Sequence, residues 1–452
     1  MVRKLTAFKA YDIRGRIPEE IDERLAYEVG RAYAAFAHPA TVAVGHDIRL
    51  SSPGLADAVK RGLADSGVEV LDIGLCGTEG IYFATAAEHL GGGIMVTASH
   101  NPPGYNGMKI VREGSRPVSA DTGLKDIAAL IESGTLPAAA AKRGAERPLE
   151  IGARYLEHLL GYVDRGKLRP LKVVVNAGNG GAGLIIDQLE AHLPFEFVKI
   201  HHSPDGHFPN GVPNPMLEEN RAATAEAVRG AGADVGLAWD GDYDRCFFFD
   251  ERGVFIEGYY LVGLLAERFL RLEPGARIVH DPRLTWNTID IVRSLGGEPV
   301  LSKSGHAFIK QRMREVDAAY GGEMSAHHYF RQFYYCDSGM IPWLLVLAVM
   351  SERGLPLSAL VGERMRLYPA SGEVNLTLAE DAQGVLARAR QHYARGALTI
   401  ELTDGLSIEY RDWRFNLRAS NTEPLVRLNV EARGSEALMR DRTAELLEFL
   451  KS

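Results

Sequence analysis

With 452 residues, the chain is long enough for about three domains and can bury several cores. Its 46% hydrophobic and 24% charged residues exclude a disordered or fibrous chain and fit a globular one. A net charge of −8 argues against a general binder of nucleic acid or anionic membranes, so an anionic substrate would need local basic groups to attract it.

The N-terminal stretch MVRKLTAFKAYDIRG lacks the apolar core of a signal peptide. Cys76, Cys246 and Cys336 are an odd number of widely spaced thiols with no CxxC pair, so the expectation is a reducing, cytoplasmic setting without disulfides. Along the chain one pattern recurs three times: an apolar strand, a helical stretch, a second strand, then a third strand running into a polar loop. The strands are TVAVGHD (41–47), VEVLDIG (68–74) and GGIMVTASHNP (92–102) in the first unit. They are LKVVVNAGNGG (171–181), FEFVKIHH (195–202) and ADVGLAWDGDYDR (233–245) in the second. In the third they are ARIVHDPR (276–283), EPVLSKSGH (298–306) and AAYGGEMSAHH (318–328). Continuous apolar strands alternating with helices predict α/β domains with mixed, largely parallel sheets, and such sheets bind ligands beyond the carboxyl ends of their strands. The Ala/Pro-rich run 133–148 reads as a linker, and MIPWLLVLAVM (340–350) as a buried helix too short to span a bilayer. Beyond about residue 368 strands dominate and the chain ends in a helical stretch, which predicts a smaller α+β domain.

Four loops carry chemistry. In DGDYDR, Asp240, Asp242 and Asp244 crowd three carboxylates together, and hard oxygen donors of this kind suit Mg²⁺ or another divalent ion. An EF-hand is excluded because Arg245 stands where its glycine must be and a strand follows; a solvated acidic turn is the plain alternative. In TASHNPPGYNGMK (97–109), Ser99 and His100 are neighbours whose side chains would diverge on an extended loop, so adjacency gives no hydrolase dyad. Ser99 beside a metal and Lys109 could instead carry a phosphate, with Lys109 supplying a cation or a proton. Glu323 and Ser325 in GGEMSAHHYF alternate, so they can address two neighbouring sugar hydroxyls, or form a satisfied buried pair; His327 and His328 show no zinc spacing. In RASNTEP (418–424), Arg418, Ser420, Asn421 and Thr422 suit a phosphate dianion. The glycine-rich NAGNGGAG (176–183) lacks a dinucleotide fingerprint and reads as a tight strand-to-helix turn.

With AYDIRG, TASHNPPGYNGMK, DGDYDR, KSGHAFIK, GEMSAHH and RASNTEP in that order, the sequence resembles the α-D-phosphohexomutases, specifically the bacterial phosphomannomutase/phosphoglucomutase group. The resemblance runs end to end and implies three similar α/β domains and a smaller C-terminal α+β domain around a central cleft. It implies a phosphoserine-loop domain over 1–145, a metal-binding domain over 146–250, a sugar-binding domain over 251–368 and a phosphate-binding domain over 369–452. Ser99 would be the phosphorylated serine and, with Asp240, Asp242 and Asp244, a Mg²⁺ ligand. Arg14, Lys109, Arg245 and His306 would take part in catalysis. Tyr11, Arg283, Lys303, Glu323, Ser325, His327, Arg418, Ser420, Asn421 and Thr422 would contact substrate. Arg283 departs from the lysine common in relatives, and the two differ in geometry. Met324 and Ala326 resemble the manno/gluco group more than the glucosamine mutases. The implied activity interconverts hexose 1-phosphate and hexose 6-phosphate of mannose or glucose through a phosphoserine and a 1,6-bisphosphate. Glucose 1,6-bisphosphate or mannose 1,6-bisphosphate would act as activator. A monomeric enzyme with no nucleic-acid or membrane partner is expected; a phosphatase and a non-catalytic sugar-phosphate sensor are the rival readings.

Overall fold

Val173, Val174 and Val175 are all fully buried, which requires cover on both faces of their strand and explains its unbroken apolar run. The structure, a computed structural model, describes residues 5–377, 381–419 and 425–451. The chain forms two compact units, Met1–Phe255 with His327–Gly354, and Ile256–Ala326 with Leu355–Ser452.

The first unit contains two sheets of one design. In the first sheet, strand Thr41–His46 lies between Glu69–Leu75 and Gly92–Val96 and is parallel to both; Tyr105–Arg112 then returns antiparallel to Gly92–Val96. In the second, Lys172–Asn176 lies parallel between Glu196–Ile200 and Val235–Trp239, and Cys246–Phe249 returns antiparallel. The predicted repeat is therefore present, with shorter strands than the sequence suggested. Ser99 and the three aspartates each sit in the hairpin turn after the third strand. The run 133–148 is not all linker: Glu146–Pro148 adds a parallel strand beside Glu69–Leu75. The apolar run 340–350 forms helix Ile341–Arg353, buried from Ile341 to Ser351, with Trp343 packed on Phe195 and Phe197. NAGNGGAG is the expected turn between strand Lys172–Asn176 and helix Ala182–Glu190. No single helix among the described residues is long and apolar enough to cross a membrane.

In the second unit, strand Arg277–His280 lies parallel to both Glu298–Leu301 and Tyr320–Gly322, the arrangement of the first two repeats again. The C-terminal part is a five-stranded antiparallel sheet in the order Val374–Thr377, Leu425–Ala432, Trp413–Ala419, Leu406–Glu409, Thr399–Glu401. Its core joins Phe415, Leu417, Val426 and Leu428 to Val385, Leu446 and Leu450 of helices Ala382–Tyr393 and Glu436–Lys451.

Candidate functional site

The turn after Gly92–Val96 holds Ser99 at φ +47°, a left-handed conformation that a non-glycine residue adopts at a cost of about 1–2 kcal/mol. A buried guanidinium supports it. Arg49 donates to the backbone carbonyls of Ser99 at 2.9 Å, Asn101 at 2.5 Å, Pro102 at 2.8 Å and Tyr105 at 3.1 Å. Asp47 in turn accepts from Arg49 N at 3.0 Å, Ser52 Oγ at 2.5 Å and Thr97 Oγ1 at 2.7 Å. Arg14 grips the same turn through Asn101 Oδ1 at 2.7 Å and pairs with Asp12 at 2.6 Å. Arg49→Lys cannot reproduce four carbonyl contacts from one ammonium, so kcat is expected to fall about 10-fold or more while the protein still melts cooperatively, read by steady-state kinetics beside calorimetry.

The left-handed turn corrects the reading of His100. Its side chain does not diverge from Ser99: His100 Nδ1 lies 3.1 Å from Ser99 Oγ and also meets Arg245. An extended loop would separate the two, and the φ of Ser99 is what rotates them together. Burial, then the charges of Arg245 and Arg14, hold His100 well below its usual pKa, so it is a neutral imidazole that accepts from Arg245.

Ser99 Oγ donates to Asp240 Oδ2 at 2.9 Å, and the same oxygen takes Arg245 Nε at 2.8 Å. Lys109, paired across the sheet from Met95, reaches Asp242 Oδ2 at 2.7 Å and also Asp244 Oδ2. Thr78 Oγ1 donates to Asp242 Oδ2 at 2.5 Å. All three aspartates are buried, and their oxygens converge to within 4.8 Å. Asp242 Oδ1 and Asp244 Oδ1 have no hydrogen-bond partner among the described residues. Two orphaned buried carboxylate oxygens in an all-oxygen set fit a hard divalent cation such as Mg²⁺. Burial opposes ionisation of Asp242, but Lys109 outweighs it and the net shift is downward; burial and then Asp242 push Asp244 up. Burial also works against the Lys109 ammonium, yet Asp242 and Asp244 together raise it, so Lys109 serves here as a held cation.

His327 belongs to the first unit, where its Nδ1 lies 3.0 Å from Asp337 Oδ2 and 4.0 Å from Asp244 Oδ1. Tyr11 is half-buried and contributes to the field at Arg14. Arg49, Thr78 and Asp337 also belong to this cluster, and no sequence motif points to them as site residues. Only Arg49 left a trace there, in a polar GHDIRLSS stretch directly after a buried strand.

The second unit holds its own cluster. Arg283, also buried, donates through one nitrogen to Asp281 Oδ2 at 2.9 Å, Glu323 Oε2 at 3.2 Å and Ser325 Oγ at 3.1 Å. Glu323 and Ser325 are thus together, as their alternation predicted, and Arg283 is what joins them. Glu323 Oε2 also accepts from Gly305 N at 2.8 Å, which places the KSGHAFIK loop beside it. His306 is buried at the start of helix His306–Val316, whereas Lys303 is exposed. Glu373 gathers Arg418 at 3.0 Å, Arg427 at 3.5 Å and Arg283 at 3.6 Å. Ser420, Asn421 and Thr422 lie outside the described residues.

Sequence profiles of one family cover almost the whole chain. Those described as Phosphoglucomutase/phosphomannomutase, alpha/beta/alpha domains I, II and III match residues 5–137, 153–253 and 257–368, and the C-terminal domain matches 373–448. A phosphomannomutase of Salmonella montevideo is 58% identical over 457 residues, covering all of both chains. A protein of Xanthomonas campestris pv. campestris described as "Phosphohexose mutases" is 59% identical over 447 residues, 99% of each chain. The crystal structure of a phosphoglucomutase/phosphomannomutase family protein from Burkholderia thailandensis superposes with a TM-score of 0.89 at 32% identity, covering 100% of this chain and 98% of that one. The family match is that of an enzyme, a phosphotransferase of the mutase class, and the serine turn and the acidic turn that it meets accord with this. The chain belongs to the phosphoglucomutase/phosphomannomutase family, within the α-D-phosphohexomutases.

Proposed function

We propose that the enzyme interconverts hexose 1-phosphate and hexose 6-phosphate, of mannose, glucose or both, through a phosphoserine at Ser99 and a 1,6-bisphosphate intermediate. The observation that carries this reading is the 2.9 Å contact of Ser99 Oγ with Asp240 inside the buried aspartate cluster. Asp240, Asp242 and Asp244, with Ser99, would hold Mg²⁺, which when bound supplies charge neutralisation for a phosphoryl group. The four parts of the chain would divide the work: 1–145 carries the phosphoserine, 146–250 the metal ligands, 251–368 the sugar contacts and 369–452 the grip on the idle phosphate.

In the forward half-reaction the free sugar hydroxyl attacks phosphorus and the bond from phosphorus to Ser99 Oγ breaks. The hydroxyl proton passes to His327, whose Nδ1 lies 3.0 Å from the Asp337 carboxylate; Lys109 is a poor acceptor because its aspartate partners keep it protonated. Arg14, Arg245 and Lys109 surround the serine turn with fixed positive charge. The bisphosphate then turns end for end, and its other phosphate returns to Ser99. Arg418, with Ser420, Asn421 and Thr422, would hold whichever phosphate is idle, while Glu323 and Ser325 accept sugar hydroxyls in either orientation. Tyr11, Lys303 and Arg283 complete the substrate contacts, and His306 takes part in catalysis. A cytoplasmic monomer needing catalytic glucose or mannose 1,6-bisphosphate as activator follows from the same reading.

Phosphorus NMR tests it. With Mg²⁺ and a trace of glucose 1,6-bisphosphate, mannose 1-phosphate or glucose 1-phosphate should convert to its 6-phosphate with no free phosphate. Inorganic phosphate released in step with substrate loss would establish a phosphatase instead, and inertness toward both sugars would end the proposal.

A further inference from the structure

Glu79 is a buried carboxyl group that the proposed reaction does not use. It stands in the first turn of helix Thr78–Ala87 in the first unit and is fully buried. A leucine or methionine would fill such a position without desolvating a carboxyl, so its presence calls for a task. Its Oε2 accepts the hydroxyl of Ser338, which is also fully buried.

A serine hydroxyl has one proton and two lone pairs. The proton of Ser338 goes to Glu79, which leaves the oxygen to accept from Met340 N at 3.0 Å and Ile341 N at 3.1 Å, at the start of helix Ile341–Arg353. The backbone N–H of Ser338 reaches His328 O at 3.0 Å. Ser338 is thereby pinned on every side. It directly follows Asp337, and His328 directly follows His327, so the same two peptide positions set both partners of the His327–Asp337 pair. Residues just before Glu79 hold the acidic turn. Gly77 N donates to Tyr243 Oη at 2.8 Å, and Thr78 N to Asp242 O at 3.2 Å. A Cβ at residue 77 would stand 2.3 Å from the Tyr243 ring, so only glycine permits this approach. One helix start therefore registers the aspartates and the imidazole against each other. Burial pushes the Glu79 carboxyl up to about 8 against the pull of the Ser338 bond, consistent with a group kept for its acceptor geometry and not for charge.

We infer that Glu79 is a positioning residue for proton transfer: through Ser338 it fixes Asp337 and so the orientation of the His327 imidazole beside the acidic turn. This rests on the reading of His327 as the proton-transfer group. The experiment compares Glu79→Ala, Glu79→Gln, Asp337→Asn and His327→Asn in steady-state kinetics, melting and ¹⁵N-histidine NMR. Glu79→Ala should lower kcat about 10- to 100-fold with KM within about 2-fold. Glu79→Gln, whose amide oxygen still accepts from Ser338, should recover kcat to within about 3-fold, and Glu79→Ala should add nothing to Asp337→Asn. A Glu79→Ala protein that melts lower yet keeps wild-type kcat per folded molecule overturns the inference; so does a well-folded Glu79→Gln that recovers nothing. Should Glu79→Ala not fold, Ser338→Ala removes the same bond from its other end. Wild-type kcat in His327→Asn would sink the role of His327 alone. The Nδ1 resonance of His327 then decides the matter: a shift shared by Glu79→Ala and Asp337→Asn but absent in Glu79→Gln supports positioning, and an unmoved signal in Glu79→Ala refutes it.

Discussion

Ser99→Ala is expected to lower kcat by about 10,000-fold or more, because in the proposed reaction the Ser99 hydroxyl carries the phosphoryl group between half-reactions, and Thr78, the other hydroxyl of the cluster, is already engaged with Asp242 and Lys109. The fold should tolerate the change. Asp240 loses the serine donor but keeps Arg245 at 2.8 Å, and the backbone clamp by Arg49 touches only carbonyls of the turn. Ser99→Gly should be equally inactive and melt no lower than Ser99→Ala, since glycine takes a φ of +47° without steric strain. Intact mass spectrometry provides the second reading. Wild type exposed to glucose 1,6-bisphosphate should gain one phosphoryl group that both variants lack. A Ser99→Ala protein retaining more than about 1% of wild-type kcat would show that the phosphate travels by another route.

The parts of this site that the sequence disclosed are those whose chemistry is local. Asp240, Asp242 and Asp244 are crowded in any conformation of a six-residue turn, and Glu323 and Ser325 share a side in any extended loop. Buried strands such as 173–175 announce themselves as unbroken apolar runs. What stayed hidden depends on distant partners or on backbone angles. Arg49 finds Ser99 across 50 positions, and Glu79 finds Ser338 across 259. Neither spacing has a signature. His100 was misread because the rule that adjacent side chains diverge assumes extended backbone, and the left-handed Ser99 breaks that assumption. Strand Glu146–Pro148 was absorbed into a linker because it is exposed throughout and bears no apolar residue on a core face; only its pairing with Glu69–Leu75 defines it. Arg283 departs from the lysine common in relatives. Its fork explains itself once seen: Nε and Nη2 take the two oxygens of Asp281, Nη2 also meets Glu323 and Ser325, and Nη1 faces Glu373, a spread of directions that a single ammonium could not reproduce.

Asp244→Asn should abolish most activity and yet stabilise the metal-free protein. Three buried carboxylates lie within 4.8 Å, and the cations that touch them are Lys109 and Arg245. Burial and the charge of Asp242 raise the folded-state pKa of Asp244 above that of an unfolded aspartate. A carboxyl shifted that way favours folding when protonated, and the benefit disappears as pH rises through the folded value. At neutral pH and above, an amide of the same shape therefore relieves repulsion, while Lys109 keeps its 2.7 Å contact with Asp242. The opposing effect is the lost Lys109–Asp244 pair, but Lys109 retains both Asp242 and Thr78 as acceptors. In EDTA, Tm should rise by about 1–4 °C, and the gain should shrink toward acid pH, where wild-type Asp244 takes up its proton. Added Mg²⁺ should reverse the order, because a ligand stabilises the folded state in proportion to how far its concentration exceeds its Kd, and the variant has one anionic donor fewer. Activity should track the second ordering, falling about 100-fold or more at saturating Mg²⁺. If Asp244→Asn melted below wild type in EDTA at pH 8, the aspartates would be a settled structural network, and their orphaned oxygens would no longer speak for a cation.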